Sequence, residues 1–278
     1  MNELNQPKIS VITCTFNSEK FLEKALESVE NQSYSQIEHI INDSDSNDAT
    51  LEIIRDYIDR NGSRYTIKLI HCEPKGVGNA LNVAAKHATG EIIHFLHSDD
   101  YYVDPNSLQK VARYFSENPE IVWLTGNFLI DWKGRRLVLP QTLILKPSLE
   151  IALSITNFIS HENTFMRTEA LHEYGGFNET KAIPVEYTLW LKLFKHHRPL
   201  IVNDEFAVFI IHKGSTSTGN IFKLMKALSR GFHAQRKVDI LPFLGYYKEK
   251  KGYMKYKKIQ KKVTKFRFIQ LLGPFGLE

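Results

Sequence analysis

The sequence predicts an α/β protein in which a mainly parallel sheet is covered by helices on both faces. Short apolar segments alternate with amphipathic segments over the first 118 residues. The short segments are apolar throughout, which is typical of parallel strands buried on both faces. With 278 residues, 42% of them hydrophobic and 24% charged, the chain is long enough to bury a sizeable core.

Four strand–helix units are predicted in order, each an apolar strand followed by a segment with helical periodicity. The strands are Ile9–Cys14, Ile37–Ile41, Thr66–His71 and Ile92–Leu96, and the helices are Glu19–Asn31, Thr50–Arg60, Val77–His87 and Pro105–Asn118. Beyond residue 119 the pattern changes to longer strands. These are Ile121–Phe128 and Leu137–Leu145, joined by a turn at Asp131–Gly134 and followed by Leu171–Phe177, Ile183–Phe194 and the strand-like Phe206–Ile211.

The charge is distributed unevenly. Residues 221–278 are predicted to be helical and carry fifteen Lys and Arg against three acidic residues, a net charge of +12, whereas residues 1–220 carry −7. Tyrosines and phenylalanines interleave with these lysines, as in segments that lie on anionic membranes. A solvated helical face and nucleic-acid binding are the alternatives. No window suggests a spanning helix or a signal peptide, and Cys14 and Cys72 are expected to be reduced thiols of a cytoplasmic protein.

Polar residues follow all four predicted strands, and ligands of parallel sheets bind beyond the carboxyl ends of the strands. The adjacent carboxylates Asp99 and Asp100 would repel one another there. A divalent cation that carries a phosphate removes this objection, because Mg²⁺ and Mn²⁺ take one or two carboxylates plus substrate oxygens. The alternative is an ordinary strand-to-helix turn. The four strand ends are Thr13–Asn17, Asn42–Asp48, Glu73–Gly76 and His97–Asp100.

An ordered series of motifs resembles the family 2 glycosyltransferases over roughly residues 8–215. The series is Ile9–Asn17, His39–Asp48, His97–Asp100, Gly175–Glu179 and Val185–Tyr187. The resemblance implies a GT-A (Rossmann-like) fold that transfers sugar from a nucleotide donor with inversion. It divides residues 1–220 into a nucleotide-sugar-binding half, about 1–118, and an acceptor half, 119–220, with 221–278 as a basic helical tail. The Gln-x-x-Arg-Trp motif of processive members is absent, which favours the addition of a single sugar.

The resemblance also suggests which residues hold the donor. Asp43 occupies the position of an acidic residue that contacts the base, where it would accept the N3–H of uracil or thymine; UDP-sugar is therefore the favoured donor, and dTDP fits as well. Thr15 and Asn17 match the first nucleotide-contacting loop, although bonding within the loop explains them almost as well. Asp48 is interpreted as a helix cap. The other predicted nucleotide-sugar contacts are Lys75, Asn79, His97 and Asp100.

The metal motif of the family has aspartates flanking one residue, and His97 stands here at the first of those positions. Asp99 is therefore the expected ligand of Mn²⁺ or Mg²⁺, with His212 as a later metal contact. Glu186 matches the general base, one methylene longer than the usual aspartate, and its alternative role is to interact with a helix dipole. The segment His161–Asn163 precedes an apolar strand where relatives place acceptor-contacting groups, and His161 is the expected acceptor contact.

The expected partners are a nucleotide-sugar donor, a saccharide or lipid-linked acceptor of surface polysaccharide synthesis, and an anionic membrane at the inner face of the cytoplasmic membrane. Nucleic acid is not an expected partner. Because His97, Glu186 and Thr188 depart from the pattern, the alternative is a degenerate protein that binds nucleotide sugar without turnover. A dinucleotide site at Gly76–Gly78 is rejected because Leu81 stands in place of the third glycine.

Overall fold

The computed structural model describes residues 6–140, 157, 159–180 and 185–212. The predicted basic tail, the part of the strand Leu137–Leu145 beyond residue 140, and the first residues of the segment Ile183–Phe194 lie outside these residues. The strands are β1 (Ile9–Thr15), β2 (Ile37–Asp43), β3 (Thr66–His71), β4 (Ile92–Phe95), β5 (Tyr101–Tyr102), β6 (Trp123–Thr125), β7 (Phe128–Trp132), β8 (Arg135–Leu139), β9 (Thr164–Arg167), β10 (Leu200–Ile201) and β11 (Ala207–Ile211).

The helices are α1 (Glu19–Glu30), α2 (Thr50–Asn61), α3 (Val77–Ala85), α4 (Ser107–Glu117), α5 (Thr168–Glu173) and α6 (Tyr187–His196), with a short 3₁₀ helix at His161–Asn163. The helices and strands predicted up to residue 118 are confirmed, with ends that shift by one or two residues.

The central sheet has the strand order β10-β6-β9-β4-β1-β2-β3. β1 pairs in parallel with β2 and β4, so that Ile9 lies between Ile37 and Ile92. The pairs β2–β3 and β6–β10 are also parallel, whereas β9 runs antiparallel to both β4 and β6. The prediction of a mainly parallel sheet is therefore confirmed.

Both faces of this sheet are buried, because successive residues of the central strands enter different hydrophobic clusters. Val11 packs in the cluster that contains α4, and Ile12 packs in the cluster that contains α3 and α6. The α6 cluster includes two fully buried tryptophans, Trp123 and Trp190, whose rings stack with centroids 5.7 Å apart. Burial on both faces explains why apolar residues occur on both sides of the central strands.

A second sheet has the order β5-β11-β7-β8. The hairpin β7–β8 turns through Lys133 and Gly134, which both have positive φ, as a type I′ turn requires. The predicted turn is confirmed. The single strand predicted at Ile121–Phe128 is wrong, because the chain breaks after β6 and continues as β7 in the second sheet. At the break, the Gly126 N–H donates to the Asn163 carbonyl, and a Cβ on Gly126 would lie 2.4 Å from the Asp204 carbonyl oxygen.

A buried carboxylate at the amino end of β2 joins the strands. Glu38 is fully buried and accepts hydrogen bonds from the Ser10 hydroxyl at 2.6 Å, the Thr89 N–H at 2.6 Å and the Lys8 ammonium at 3.2 Å. Burial by itself raises the pKa of the Glu38 carboxyl, but these hydrogen bonds outweigh it and lower the pKa to about 2. Donors from β1 and from the turn before β4 therefore meet on one group of β2.

We predict that Glu38→Gln destabilises the fold in a pH-dependent way. A carboxyl pKa that is lowered in the folded state stabilises the fold at pH values above the pKa of the unfolded state, near 4.5. This stabilisation is lost as the pH falls towards the folded-state pKa of about 2. The difference in free energy of unfolding between wild type and variant should be about 3 kcal/mol near neutral pH and shrink through that window, as measured by urea denaturation. The exposed control Glu23→Gln should change it by less than about 0.5 kcal/mol. A pH-independent difference for Glu38→Gln would contradict this account.

Candidate active site

The carboxyl ends of the parallel strands form one edge of the central sheet. The register sets Thr15 of β1 beside Asp43 of β2, and Asp43 beside His71 of β3. β4 ends at Phe95 and leads directly into the segment His97–Asp100. Side chains predicted from separate parts of the sequence therefore lie at the same edge.

Asp43 is buried at this edge and orders the loop that follows β2. Its Oδ1 accepts hydrogen bonds from the Thr15 hydroxyl at 2.7 Å and the Ser46 hydroxyl at 2.6 Å, and its Oδ2 accepts from the Ser46 N–H at 2.9 Å. A carboxylate offers about four acceptor positions. These three bonds leave Oδ2 with capacity for one further donor.

The loops after β1 and β2 are bonded to each other. The Asn17 N–H donates to the Ser46 hydroxyl, and the Asn17 Oδ1 accepts from the Asn47 N–H, both at 2.9 Å. Asn17 has a φ of +50°, which asparagine tolerates better than most residues. Asp48 accepts from the N–H groups of Thr50 and Glu19, at the starts of α2 and α1, so its predicted capping role is confirmed.

Asp99 and His212 are in direct contact although 113 residues separate them in the chain. His212 Nε2 lies 2.8 Å from Asp99 Oδ2, and both side chains are partly exposed. His212 follows the last residue of β11, and its ring lies against Phe21 of α1 with centroids 4.2 Å apart. The structure thus brings together the two side chains that the sequence suggested as metal contacts.

Asp100 is buried behind Asp99. Its Oδ1 accepts the Ile210 N–H at 3.0 Å, whereas its Oδ2 has no hydrogen-bond partner among the described residues. Burial, together with the charges of Glu162 and Asp99, raises the pKa of the Asp100 carboxyl well above its ordinary value. Asp100 thus holds β11 through its Oδ1, while its Oδ2 is an unpaired buried oxygen.

Glu162 is a further carboxylate of the site, and it lies in the segment His161–Asn163 that the family resemblance suggests for the acceptor. The side chain is buried and its Oε2 accepts the Ser160 hydroxyl at 2.9 Å. Burial raises the pKa of the Glu162 carboxyl, as does the charge of Asp99, and His97 acts against this rise. No sequence pattern distinguishes this glutamate from a surface one, because its surroundings come from distant segments.

His161 lies at the floor of the site. Its ring contacts the ring of His97 with centroids 4.8 Å apart and that of Phe177 at 5.5 Å. Its Nε2 is buried without a hydrogen-bond partner among the described residues. Burial and the neighbouring His97 and His94 lower the pKa of His161 well below its ordinary value, so the imidazole is neutral at pH 7.

Glu186 directly precedes α6 and accepts the Asn157 amide at 2.7 Å on its Oε1. Burial raises the pKa of the Glu186 carboxyl above its ordinary value of 4.5, and the charge of Glu162 adds to that rise. His97 acts in the opposite direction. Glu186 therefore belongs to the same electrostatic cluster as Glu162 and His97.

Lys75 and Asn79 form their polar contacts with glutamates. The exposed Lys75 forms an ion pair with Glu73 at 2.9 Å, and the Asn79 amide donates to Glu179 at 3.1 Å. Asn82, one turn further along α3, donates to Glu179 at 2.8 Å and also exchanges hydrogen bonds with the backbone of Phe177. α3 therefore holds the Gly175–Glu179 segment, and the contacts of Asn79 are part of that connection.

The residues present fit a divalent cation that is completed by a phosphate ligand. Among the described residues, no three His, Cys, Asp or Glu side chains are grouped so as to hold a metal by themselves. Asp99 and His212 nevertheless provide one oxygen and one nitrogen donor at 2.8 Å from each other. Divalent cations in phosphate-binding sites use as few as one or two protein carboxylates and take further oxygens from substrate and water, and the imidazole nitrogen of His212 suits Mn²⁺ better than Mg²⁺.

Comparison with known proteins identifies the family. The family model for glycosyl transferase family 2 matches residues 10–175, which is more than half of the chain. The chain belongs to glycosyl transferase family 2. The match includes Thr15, Asp43 and Asp99, whereas Glu186 and His212 lie beyond it. The transferase class expected from the sequence is thereby confirmed at the level of the family.

Two similar proteins are longer than this chain. An uncharacterized glycosyltransferase of Rickettsia felis is 29% identical over 197 residues, which cover 68% of this chain and 32% of that protein. The poly(ribitol-phosphate) β-N-acetylglucosaminyltransferase TarS of Staphylococcus aureus is 31% identical over 148 residues, or 52% of this chain and 25% of TarS. The chain thus spans a third or less of the length of these two relatives.

Solved structures of two other glycosyltransferases share the fold. TarS 1–349 from S. aureus in complex with UDP-GlcNAc superimposes with a TM-score of 0.62 at 25% identity, over 75% of this chain and 60% of that one. The mannosyltransferase PcManGT from Pyrobaculum calidifontis, in complex with GDP-Man and Mn²⁺, gives 0.67 at 21% identity, over 84% and 65%. The expected GT-A architecture is confirmed. Within the described residues, no helix has the length and apolarity to cross a membrane.

Proposed function

We propose that this chain transfers a single sugar, with inversion, from a nucleotide-sugar donor, preferentially a UDP-sugar, to a saccharide or lipid-linked acceptor. The observation that carries the proposal is the meeting of three elements at one sheet edge: the loop ordered by Asp43, the Asp99–His212 pair, and Glu186. The UDP-GlcNAc bound by TarS supports the choice of donor.

The nucleoside binds at the ends of β1 and β2 in this proposal. Asp43 uses its remaining acceptor position for the N3–H of uracil, while Thr15 keeps the carboxylate oriented through its 2.7 Å hydrogen bond. Phe16, beside Asn17, is 56% exposed although it is a large aromatic residue. Such a ring offers a flat apolar face on which a base can stack. Sequence reasoning did not select Phe16, because an exposed phenylalanine is visible only in the structure.

In this proposal the diphosphate binds beside Asp99, whose carboxylate is also in contact with His212. A divalent cation held by Asp99 and His212, Mn²⁺ or Mg²⁺, would supply positive charge to the departing diphosphate. Asp100 supports this arrangement from behind through its hydrogen bond to the Ile210 N–H, which fixes the strand that leads to His212. His97, in the same segment as Asp99, contacts the ring of His161, the proposed acceptor contact.

Glu186 acts as the general base in this proposal. Inversion requires a group that removes the proton of the acceptor hydroxyl on the face opposite the leaving diphosphate. The Glu186 carboxylate accepts that proton. The Asn157 amide holds the carboxylate in place by donating to its Oε1 at 2.7 Å. A raised carboxyl pKa makes Glu186 a stronger base than a solvated glutamate. The neutral imidazole of His161 offers a hydrogen-bonding group to the acceptor without adding charge.

A thermal-shift panel of UDP-, dTDP- and GDP-sugars, with and without Mn²⁺, tests the donor assignment. A ligand at about a hundred times its Kd stabilises the folded state by about 2.7 kcal/mol, which raises the Tm by about 5 °C or more. We expect such shifts for UDP- and dTDP-sugars with Mn²⁺, and smaller ones for GDP-sugars. Asp43→Asn should remove this preference, whereas the control Asp45→Asn in the same loop should keep it. A preference for GDP-sugars, or no effect of Mn²⁺, would overturn the assignment.

We predict that Glu186→Gln lowers kcat by about 10² to 10⁴, because proton transfer to a positioned base contributes that much. The base must be deprotonated to act, so the raised carboxyl pKa places the acidic limb of the wild-type pH–rate profile above the ordinary value of 4.5. The limb should disappear in the variant. The control Glu169→Gln, an exposed glutamate of α5, should keep the wild-type rate and profile. Near-normal turnover by Glu186→Gln would show that another group removes the proton.

The basic segment 221–278 is proposed to attach the protein peripherally to the anionic inner face of the cytoplasmic membrane. Its net charge of +12 and interleaved aromatic residues support this interpretation. Sedimentation with anionic liposomes should decrease strongly when the chain is truncated near residue 240. Unchanged sedimentation would exclude the tail as the attachment site.

A further inference from the structure

The position of His212 depends on how β11 is held, because His212 follows the last residue of that strand. β11 pairs with β7 through four residues and with β5 through only two. Its burial pattern gives little further guidance. Val208 is fully buried and packs with Ile210 against Leu129, but Phe209, Ile210 and Ile211 are all half-buried, so burial distinguishes the two faces of the second half of the strand only weakly.

Register is strongly specified where one face of a strand is buried and the other is not, and residues 209–211 of β11 show little such difference. A slip of one residue would turn His212 to the opposite face of the strand and break its contact with Asp99. Polar contacts to the β11 backbone are therefore the features most able to fix the register. Two side chains of the candidate site make such contacts. One is Asp100, which accepts the Ile210 N–H at 3.0 Å.

The other is Asn163, which lies at the opposite end of β11 and is fully buried. Its Oδ1 accepts the Phe206 N–H at 2.7 Å and the Ala207 N–H at 3.0 Å. Its Nδ2 donates to the Ala207 carbonyl at 2.9 Å and to the Ser160 hydroxyl at 3.2 Å. The side-chain amide thus uses two acceptor positions and two donors, which is its full capacity.

These contacts hold the backbone of β11 at its first residue, Ala207. The amide binds both the N–H and the carbonyl of Ala207, so a shift of the strand by one residue would break three of the four hydrogen bonds. A carboxylate cannot donate to the carbonyl, and an alanine can do neither. From Ala207 to His212 the strand extends about 17 Å at about 3.3 Å per residue, so the register set at its start determines where His212 lies.

We propose that Asn163 is a positioning residue for His212: by fixing the register of β11, it brings the imidazole to Asp99 and so completes the protein ligands of the cation. The proposal rests on the proposed function, since it takes Asp99 and His212 as the metal ligands. Asn163 adjoins Glu162 and His161 in the 3₁₀ helix, so a single short segment contributes to the site floor and orients the strand that closes it.

Mn²⁺ affinity in the presence of UDP, measured by electron paramagnetic resonance, tests this proposal without requiring turnover. Loss of a group that orients a ligand typically weakens metal binding by 10- to 100-fold. We expect Asn163→Ala to weaken Mn²⁺ binding by about tenfold or more and to accelerate hydrogen exchange of the Val208–Ile211 amides. Asn61→Ala is the matched control, because Asn61 is equally buried and bonds to the Tyr57 carbonyl far from β11. It should lower the Tm and leave Mn²⁺ affinity unchanged.

Two further variants separate the possible failures. If His212→Ala keeps wild-type Mn²⁺ affinity, the proposed ligand role of His212 is wrong. If His212→Ala weakens binding but Asn163→Ala does not, the positioning role is wrong while the metal site stands. Should Asn163→Ala not fold, Asn163→Asp keeps both acceptor contacts of Oδ1 and loses the donation to Ala207. It should weaken Mn²⁺ binding in the same direction, and wild-type affinity in Asn163→Asp would overturn the proposal.

Discussion

The parallel register of β1, β2 and β4 is the constraint on which the rest of the structure depends. β2 carries a carboxylate near each end: Glu38 towards the amino end and Asp43 at the carboxyl end. Glu38 gathers donors from β1 and from the turn before β4, and Asp43 gathers Thr15 and the loop after β2. Because the strands are aligned in this way, the segment His97–Asp100 follows β4 at the same sheet edge as the loop that Asp43 orders.

The same alignment concentrates negative charge at the carboxyl edge. Burial and the charges of Glu162 and Asp99 raise the pKa of Asp100. Burial and Asp99 raise the pKa of Glu162, and burial and Glu162 raise that of Glu186. Such a cluster costs stability in the absence of a cation, since buried carboxylates need partners. In the proposed function, the cation at Asp99 and His212 offsets part of this cost. The unfavourable energy of these buried carboxylates would then favour binding of a metal together with a phosphate.

Local features of the fold can be predicted from the sequence, whereas features set by long-range contacts cannot. The strand–helix units up to residue 118 follow from local periodicity, and Asp48 follows from the local chemistry of helix caps. The break between β6 and β7 does not, because it results from Asn163 and Asp204 meeting Gly126 and its neighbour across the fold. Segments far apart in the chain set that geometry, and the apolar run Ile121–Phe128 contains no sign of it.

The same distinction applies to the residues of the candidate site. The contact between Asp99 and His212 was anticipated only through family resemblance, since 113 residues lie between them. Glu162 acquires its role from burial beside His97, which no local pattern encodes. Asn79 was expected at the nucleotide, yet its amide donates to Glu179 on a distant loop. Exposure, burial and long-range pairing are the properties that sequence spacing leaves undetermined.

The central claim is that Asp99 and its neighbours support turnover of a nucleotide sugar and not only its binding. The most direct test is the Mn²⁺-dependent release of UDP from a UDP-sugar, by transfer or hydrolysis, with wild type and Asp99→Ala compared at equal folded concentrations. The account predicts release that requires Mn²⁺ in the wild type and is lost in the variant. Equal release by both proteins, or binding of the donor without any release by the wild type, would contradict it.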